Sequence, residues 1–254
     1  LVSLHNLFAL DIEYFEKRQG GPIMEKQWHD QIRKEILGLD LKVPLCDGTR
    51  RPYLNLDNAA TTPPLVAVVQ AIQSFLPWYS SVHRGFGYKS QLSTAVYQEA
   101  RRSVLDFFAA PAQQYIALFV KNTSEALNKL AKRLDLGAGE VLTTWMEHHS
   151  NDLPWRLKNQ TQHLELTAEG CLDLADLETK LKKARPRIKL VTVCGASNVT
   201  GIVNPLQTIA ELAHHYGAQI AVDAAQLAPH HPLKIQSSGP SRNALFGKTR
   251  GPPS

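Results

Sequence analysis

The sequence has no Cys-x-x-Cys pair. Its three cysteines, Cys46, Cys171 and Cys194, are odd in number and far apart, which argues against a disulfide framework or a structural zinc site and suits a reducing, cytoplasmic setting. No apolar run reaches the length that crosses a bilayer. The opening stretch carries Asp11 and Glu13 and has no basic region ahead of an apolar core, so it does not read as a signal peptide. No Gly-x-Gly-x-x-Gly follows an early strand and no Walker phosphate loop occurs, which removes the usual nicotinamide dinucleotide and P-loop sites. Internal repeats and low-complexity segments are also missing.

Charge does not point to nucleic acid either. The net charge is +5, much of it in Lys182, Lys183, Arg185, Arg187 and Lys189 and in a C-terminal tail without acids. No stacking aromatics interleave with that run, so it reads as a solvated loop between a helix and a strand.

What is present is enough apolar sequence to bury a full core: 254 residues, 43% of them hydrophobic. The organising stretch is Ile188 to Gln226. Ile188–Cys194 is a β-branched apolar run, the pattern of a strand buried on both faces. Asn204 as N-cap and Pro205 at the first helical position open a helix with Ile209, Leu212, Ala213 and Tyr216 on one face, which Gly217 ends. Gln219–Asp223 is a second buried strand. Two strand ends thus present Ser197-Asn198 and Asp223-Ala224-Ala225-Gln226 toward one crevice, the place where open α/β sheets bind ligands.

Upstream, Met24 opens an amphipathic helix to Leu37, and a native start near Met24 is one hypothesis. A connector leads to Arg51, and Tyr53–Leu56 reads as a short strand. Asp57–Thr62 is either a loop shaped for close approach to a ligand or an ordinary capped turn before a helix that starts at Pro63-Pro64 and carries Val68, Ile72 and Phe75 on one face. Ser80–Ser90 is a Gly-containing loop whose His83-Arg84-Gly85 either holds an anion or is a surface turn. A helix through Phe108 follows, then a strand at Tyr115–Val120. Asn122-Thr123-Ser124-Glu125 has the capping-box pattern, with Thr123 and Ser124 in a first turn where free N–H groups suit a phosphate. Glu140–Thr144 and Gln162–Leu166 are strands. Between them lie His148 and His149, whose adjacency disfavours a two-His metal site. A flat imidazole stacked on a flat cofactor and a hydrogen-bonded structural histidine are the two readings of that pair. Strand–helix alternation implies an α/β fold with a mostly parallel sheet and helices on both faces. A carboxylate for a ring nitrogen, an imidazole and a phosphate cradle form the set that pyridoxal 5'-phosphate needs.

Six segments in order carry a resemblance: LDNAATT at 56–62, SVHRG at 81–85, NTSEALN at 122–128, MEHHSNDLPW at 146–155, SNVTG at 197–201 and VDAAQ at 222–226. Together the chain resembles the class V aminotransferase superfamily, on the side of the group II cysteine desulfurases and selenocysteine lyases. The resemblance implies the large domain of a pyridoxal-phosphate fold type I enzyme acting on an amino acid, with C–S or C–Se cleavage. It implies that Asp223 pairs with the pyridinium nitrogen, that His148 (and not His149) stacks on the ring, and that Thr123 with Ser124 binds the phosphate. Asn198 and Gln226 would lie near the phenolic oxygen and substrate carboxylate, and Asn58, Ala59, His83 and Arg84 near the substrate at a homodimer interface. A sulfur-acceptor protein is an implied partner.

The pattern also breaks. The Ser-x-His-Lys segment that supplies the family's Schiff-base lysine does not occur after His231; Lys248 is a substitute candidate, without an apolar strand to present it. None of the three cysteines matches the desulfurase cysteine, and Cys194 reads as core. Phe86–Ser90 stands where the desulfurases have a second His and a Leu-Ser, which admits a related lyase, epimerase or aminotransferase. The expected organisation is therefore an N-terminal helical segment and connector over residues 1–52, an incomplete large domain over 53–236, and a divergent, disordered tail over 237–254 of a truncated enzyme that does not turn over. The alternative is a non-catalytic remnant acting as a binding or dimerisation module.

Overall fold

The computed structural model of the chain describes residues 29–235. Of the helix expected from Met24, helical backbone is described over residues 29–34; Met24, Lys248 and the tail from Ser237 lie outside the described residues. The chain packs as two units, divided between Ala95 and Val96 inside a long helix.

In the first unit, β1 (Lys42–Pro44) and β2 (Arg50–Pro52) form an antiparallel hairpin. Asp47 closes its turn by accepting the Thr49 N–H and hydroxyl at 2.9 and 2.7 Å, and Gly48 supplies the left-handed φ of +81° that the turn needs. The strand expected at Tyr53–Leu56 does not form. Its Tyr53 N–H makes one more bond to the Leu41 carbonyl, after which no neighbouring strand is available among the described residues and the backbone has no ladder. Helix α1 (Val66–Phe75) starts after the proline pair rather than on it, because the Pro64 carbonyl is taken by the Leu37 N–H at 3.0 Å. The apolar stripe of α1 is open, with Val68 and Ile72 46% and 55% exposed. A 3-10 turn (Leu76–Trp78) and a loop lead to α2 (Tyr88–Phe107).

The second unit holds α3 (Thr123–Arg133), β3 (Glu140–Thr144), α4 (His149–Arg156), β4 (Thr161–Leu164), α5 (Leu174–Lys183), β5 (Ile188–Cys194), α6 (Leu206–His215) and β6 (Gln219–Asp223). The four strands form one parallel sheet in the order β4-β3-β5-β6. Successive side chains of a strand point to opposite faces, and both faces are covered. Leu142, Val191, Val193 and Ile220 pack with Leu177 and Leu181 of α5 and Ile209 and Ala213 of α6. Val141, Leu190 and Ala221 pack on the other face with Ala131 of α3 and Trp155 of α4. Each fully buried leucine contributes about 2 kcal/mol of transfer free energy, so residues of this pattern hold the sheet shut on both sides. The basic run is exposed but is not all loop: Lys182 and Lys183 end α5, Lys189 lies in β5, and Arg185 and Arg187 lie between them.

Two expectations fail here for local reasons. Residues 115–120 form no strand: no ladder partner lies beside them among the described residues, and the Ala117 carbonyl is taken by Arg101 Nε at 2.9 Å. Asn204 does not cap α6. Its amide donates to the Cys194 carbonyl at 2.8 Å and faces Met146 Sδ, so it ties the loop to the end of β5, and α6 begins without a side-chain cap.

Candidate cofactor site

The parallel register places Cys194 beside Asp223 at the ends of β5 and β6. The Gly195 N–H continues the ladder to the Asp223 carbonyl at 2.8 Å. Gly195 tolerates no side chain, since a Cβ there would lie 2.8 Å from Leu227 Cδ2 and 3.0 Å from its Cβ, and Leu227 is buried. Asp223 is 7% exposed. Its Oδ1 accepts the Ala225 N–H at 3.0 Å, and among the described residues no cation pairs with it. A buried carboxylate with one backbone donor is costly unless a positive partner joins it. A protonated ring nitrogen is such a partner, so the donor set here fits a pyridinium.

His148 is the N-cap of α4. Its Nδ1 accepts the Ser150 N–H at 3.1 Å and lies 3.0 Å from Ser150 Oγ. A nitrogen that accepts a backbone N–H carries no proton, which leaves the ring proton on Nε2. Ser150 Oγ in turn lies 2.5 Å from Ser124 Oγ, in the first turn of α3. The helix opens as its sequence dictates: Asn122 Oδ1 accepts the Glu125 N–H at 2.9 Å, while Glu125 reaches back to the Lys121 N–H at 2.7 Å, one residue earlier than a standard capping box. Hydroxyl contacts therefore join the expected phosphate turn to the expected ring histidine. Of the Thr123-Ser124 pair it is Ser124 whose hydroxyl makes that link. The His149 ring is 6.2 Å from that of His148 and tilted by 48°.

Beneath His148 lies a network that residue types alone did not reveal. Glu147 Oε1 accepts the Thr144 hydroxyl at 2.6 Å and the Cys194 N–H at 2.9 Å, and Oε2 accepts the Asn151 amide at 2.6 Å. Asn151 Oδ1 accepts the Thr192 hydroxyl at 2.7 Å and the Trp155 indole N–H at 3.1 Å. Burial pushes the Glu147 carboxyl above its ordinary value, against these donors, which pull it down. The signal was in the sequence as Glu147, Asn151 and Trp155 at spacings of four, one face of a helix start. Burial and the adjoining Glu147 carboxylate push the Cys194 thiol well above its ordinary range. It is an inert core thiol, as expected.

The other candidates fall in one unit or the other. Asn198 is exposed in the turn after β5, and Gln226 is half-buried in the turn after β6. In the first unit, Asn58 Oδ1 accepts the Asn55 amide at 2.7 Å, beside Ala59. His83 has a left-handed φ of +59° and donates its N–H to Thr94 Oγ1 at 3.0 Å. The Arg84 carbonyl accepts from Ser81 and Ser90 at 2.9 and 3.2 Å. The buried Ser90 and Ser93 of α2 thus pin the loop that displays His83 and Arg84.

Comparison with known proteins identifies the family and the fold. Residues 54–240 match the family model for class-V aminotransferases. The chain is 36% identical over 212 residues to a probable cysteine desulfurase of Halalkalibacterium halodurans, covering 79% of this chain and 51% of the relative. It is 33% identical to a cysteine desulfurase of Klebsiella pneumoniae, covering 87% and 56%. The apo structure of a cysteine desulfurase from Thermococcus onnurineus superimposes with a TM-score of 0.68 at 33% identity, covering 81% of this chain and 50% of that one. One from Escherichia coli gives a TM-score of 0.62 at 30% identity, covering 81% and 51%. The chain spans about half the length of the curated relatives it matches. Its sheet, its strand-end residues and these similarities place it in the class-V aminotransferase family, among the homologues of the cysteine desulfurases.

Proposed function

We propose that this chain is the cofactor-binding part of a pyridoxal-phosphate enzyme that acts on an amino acid, with C–S or C–Se cleavage as its reaction. The observation that carries the reading is the buried Asp223 carboxylate at the end of β6, open to a cationic partner. Asp223 would hold the proton on the ring nitrogen, and His148 would lie against the ring with its Nε2 proton. Ser124, with Thr123 beside it, and the free N–H groups of α3 would take the phosphate. When bound, pyridoxal phosphate supplies an electron sink for bonds at the substrate's α-carbon and beyond. Asn198 and Gln226 would orient the phenolic oxygen and the substrate carboxylate. Asn58, Ala59, His83 and Arg84 would approach the substrate at a homodimer interface, which the open stripe of α1 supports. The chain would work in the cytosol and pass sulfur to an acceptor protein.

Turnover by these 254 residues alone is not expected, since the Ser-x-His-Lys segment is missing from them. The test is to incubate the chain with pyridoxal phosphate, reduce with borohydride and map modified lysines by mass spectrometry, while assaying sulfide from cysteine and selenide from selenocysteine. Scattered labelling with no product is the expected result. One stoichiometrically labelled lysine with product release contradicts the inactivity, and Lys248 would be the first site to inspect. Epimerisation or amino transfer in place of sulfide would replace the assigned substrate chemistry.

A further inference from the structure

The network beneath His148 has a polarity fixed from both ends. The indole N–H of Trp155 can only donate, so Asn151 must turn Oδ1 toward it, where Thr192 also donates. The Asn151 amide nitrogen therefore faces Glu147 Oε2 and can only donate. At the other end the Cys194 backbone N–H, again only a donor, faces Glu147 Oε1. Both oxygens of residue 147 must accept, and a carboxylate alone does so. The donors come from three elements: the end of β3 (Thr144), the end of β5 (Thr192 and Cys194) and α4 (Asn151 and Trp155). Asn151, Trp155 and Thr192 are fully buried, so each unmade bond there has no water to replace it.

We propose that Glu147 is a positioning residue that clamps the start of α4 to the ends of β3 and β5 and thereby fixes the ring of His148. This rests on the reading of His148 as the ring-stacking residue. A bare capping role would not need a carboxylate: Ser150 alone satisfies Nδ1 of His148. What Glu147 adds is a fixed height of the β3–α4 turn relative to the β5 end, and β5 is bonded to the strand that carries Asp223.

The polarity can be reversed without changing shape. In E147Q the new amide opposes the Asn151 amide, donor against donor. In N151D two carboxylates meet, oxygen against oxygen. In the double variant E147Q/N151D, the carboxylate introduced at position 151 accepts from Thr192, from Trp155 and from the amide introduced at position 147. The oxygen of that amide accepts from Thr144 and Cys194, so every donor is paired again. The experiment uses the 254-residue chain at pH 7.5, specifically 15N-labelled at its ten histidines, with His148→Gln to assign the His148 signals. Melting temperatures are recorded alongside. Each single variant should melt about 5 °C lower, and its His148 Nδ1 and Nε2 resonances should move toward the average of the two tautomers. The swap should restore both readouts. Leu177→Ala, in the core on the far sheet face, should lower the melting temperature while leaving the His148 signals in place.

Failure of the swap to restore either readout overturns the proposal. So does an E147Q variant that melts early with His148 unmoved, since that is a purely structural role. If both single variants fail to fold, recovery of folding and His148 signals in the swap supports the clamp, and no recovery sinks it. All these signals are recorded without cofactor. A chain that binds no pyridoxal phosphate would therefore remove the functional reading while the clamp is judged on its own.

Discussion

Gly195 and Glu147 carry consequences at the level of single residues. A methyl group at Gly195 has nowhere to go, because Leu227 is packed against it at 2.8 Å. Gly195→Ala should cost about 1–3 kcal/mol of overpacking, read from urea unfolding; an unchanged midpoint would show that Leu227 can swing away. The pH response of Glu147 has a defined sign. Its folded value lies above the ordinary 4.5, so the native state holds that proton more tightly than the unfolded chain. The associated stability is present below the ordinary value and is lost as pH rises through the raised one. The stability gap between wild type and E147Q should therefore narrow as pH rises from about 4.5 toward neutrality. A gap that widens over that window would mean the donors outweigh burial. Asp223, His148 and Ser124 could be singled out from the sequence because each ends a strand or lies at the start of a helix. For Glu147 the sequence offered only its spacing of four to Asn151, because Cys194, which it bonds, and Thr192, which bonds Asn151, lie more than forty positions away in the chain.

Helices and strands that bury a face on both sides were legible at once. Ile188–Cys194, Glu140–Thr144 and Gln219–Asp223 are strands where their apolar runs put them. Tyr53–Leu56 and Tyr115–Val120 have the same local pattern and form none, since a strand exists only with a ladder partner. Capping separates similarly. Asn122 caps α3, whereas Asn204, equally suited by type, is drawn to the Cys194 carbonyl. Asn122→Ala should destabilise the fold by about 1 kcal/mol and weaken inorganic phosphate binding at the α3 start; unchanged phosphate affinity would separate that turn from any anion site. At the other end of α3, the Lys158 ammonium is shared by the carbonyls of Ala131, Lys132 and Leu134 at 2.7, 3.2 and 2.8 Å. This cap is unreadable from sequence because Lys158 follows a different helix. Lys158→Met should lower stability by about 1 kcal/mol, while Lys158→Arg should recover part of it; equal melting of all three would show the contact to be inconsequential.

For the whole molecule, what the four strands create is one end of a parallel sheet at which a buried carboxylate, an imidazole and a helix start are joined through hydrogen bonds and strand pairing. The fold could be read from alternation of strand and helix, and the family from six short segments in order. Whether His83 and Arg84 have a role at the sheet end could not, since their loop is pinned by Ser90 and Ser93 within the first unit. The chain spans about half the length of the relatives it matches, and cofactor binding is the property to measure. The central claim is tested by titrating the chain with pyridoxal phosphate and following induced circular dichroism in the cofactor's visible band. Wild type should give a saturable band, and Asp223→Ala should weaken binding about thirtyfold, the equivalent of a lost charged hydrogen bond of about 2 kcal/mol. No induced band, or a band that Asp223→Ala leaves untouched, would contradict the assignment of the cofactor to the end of β6.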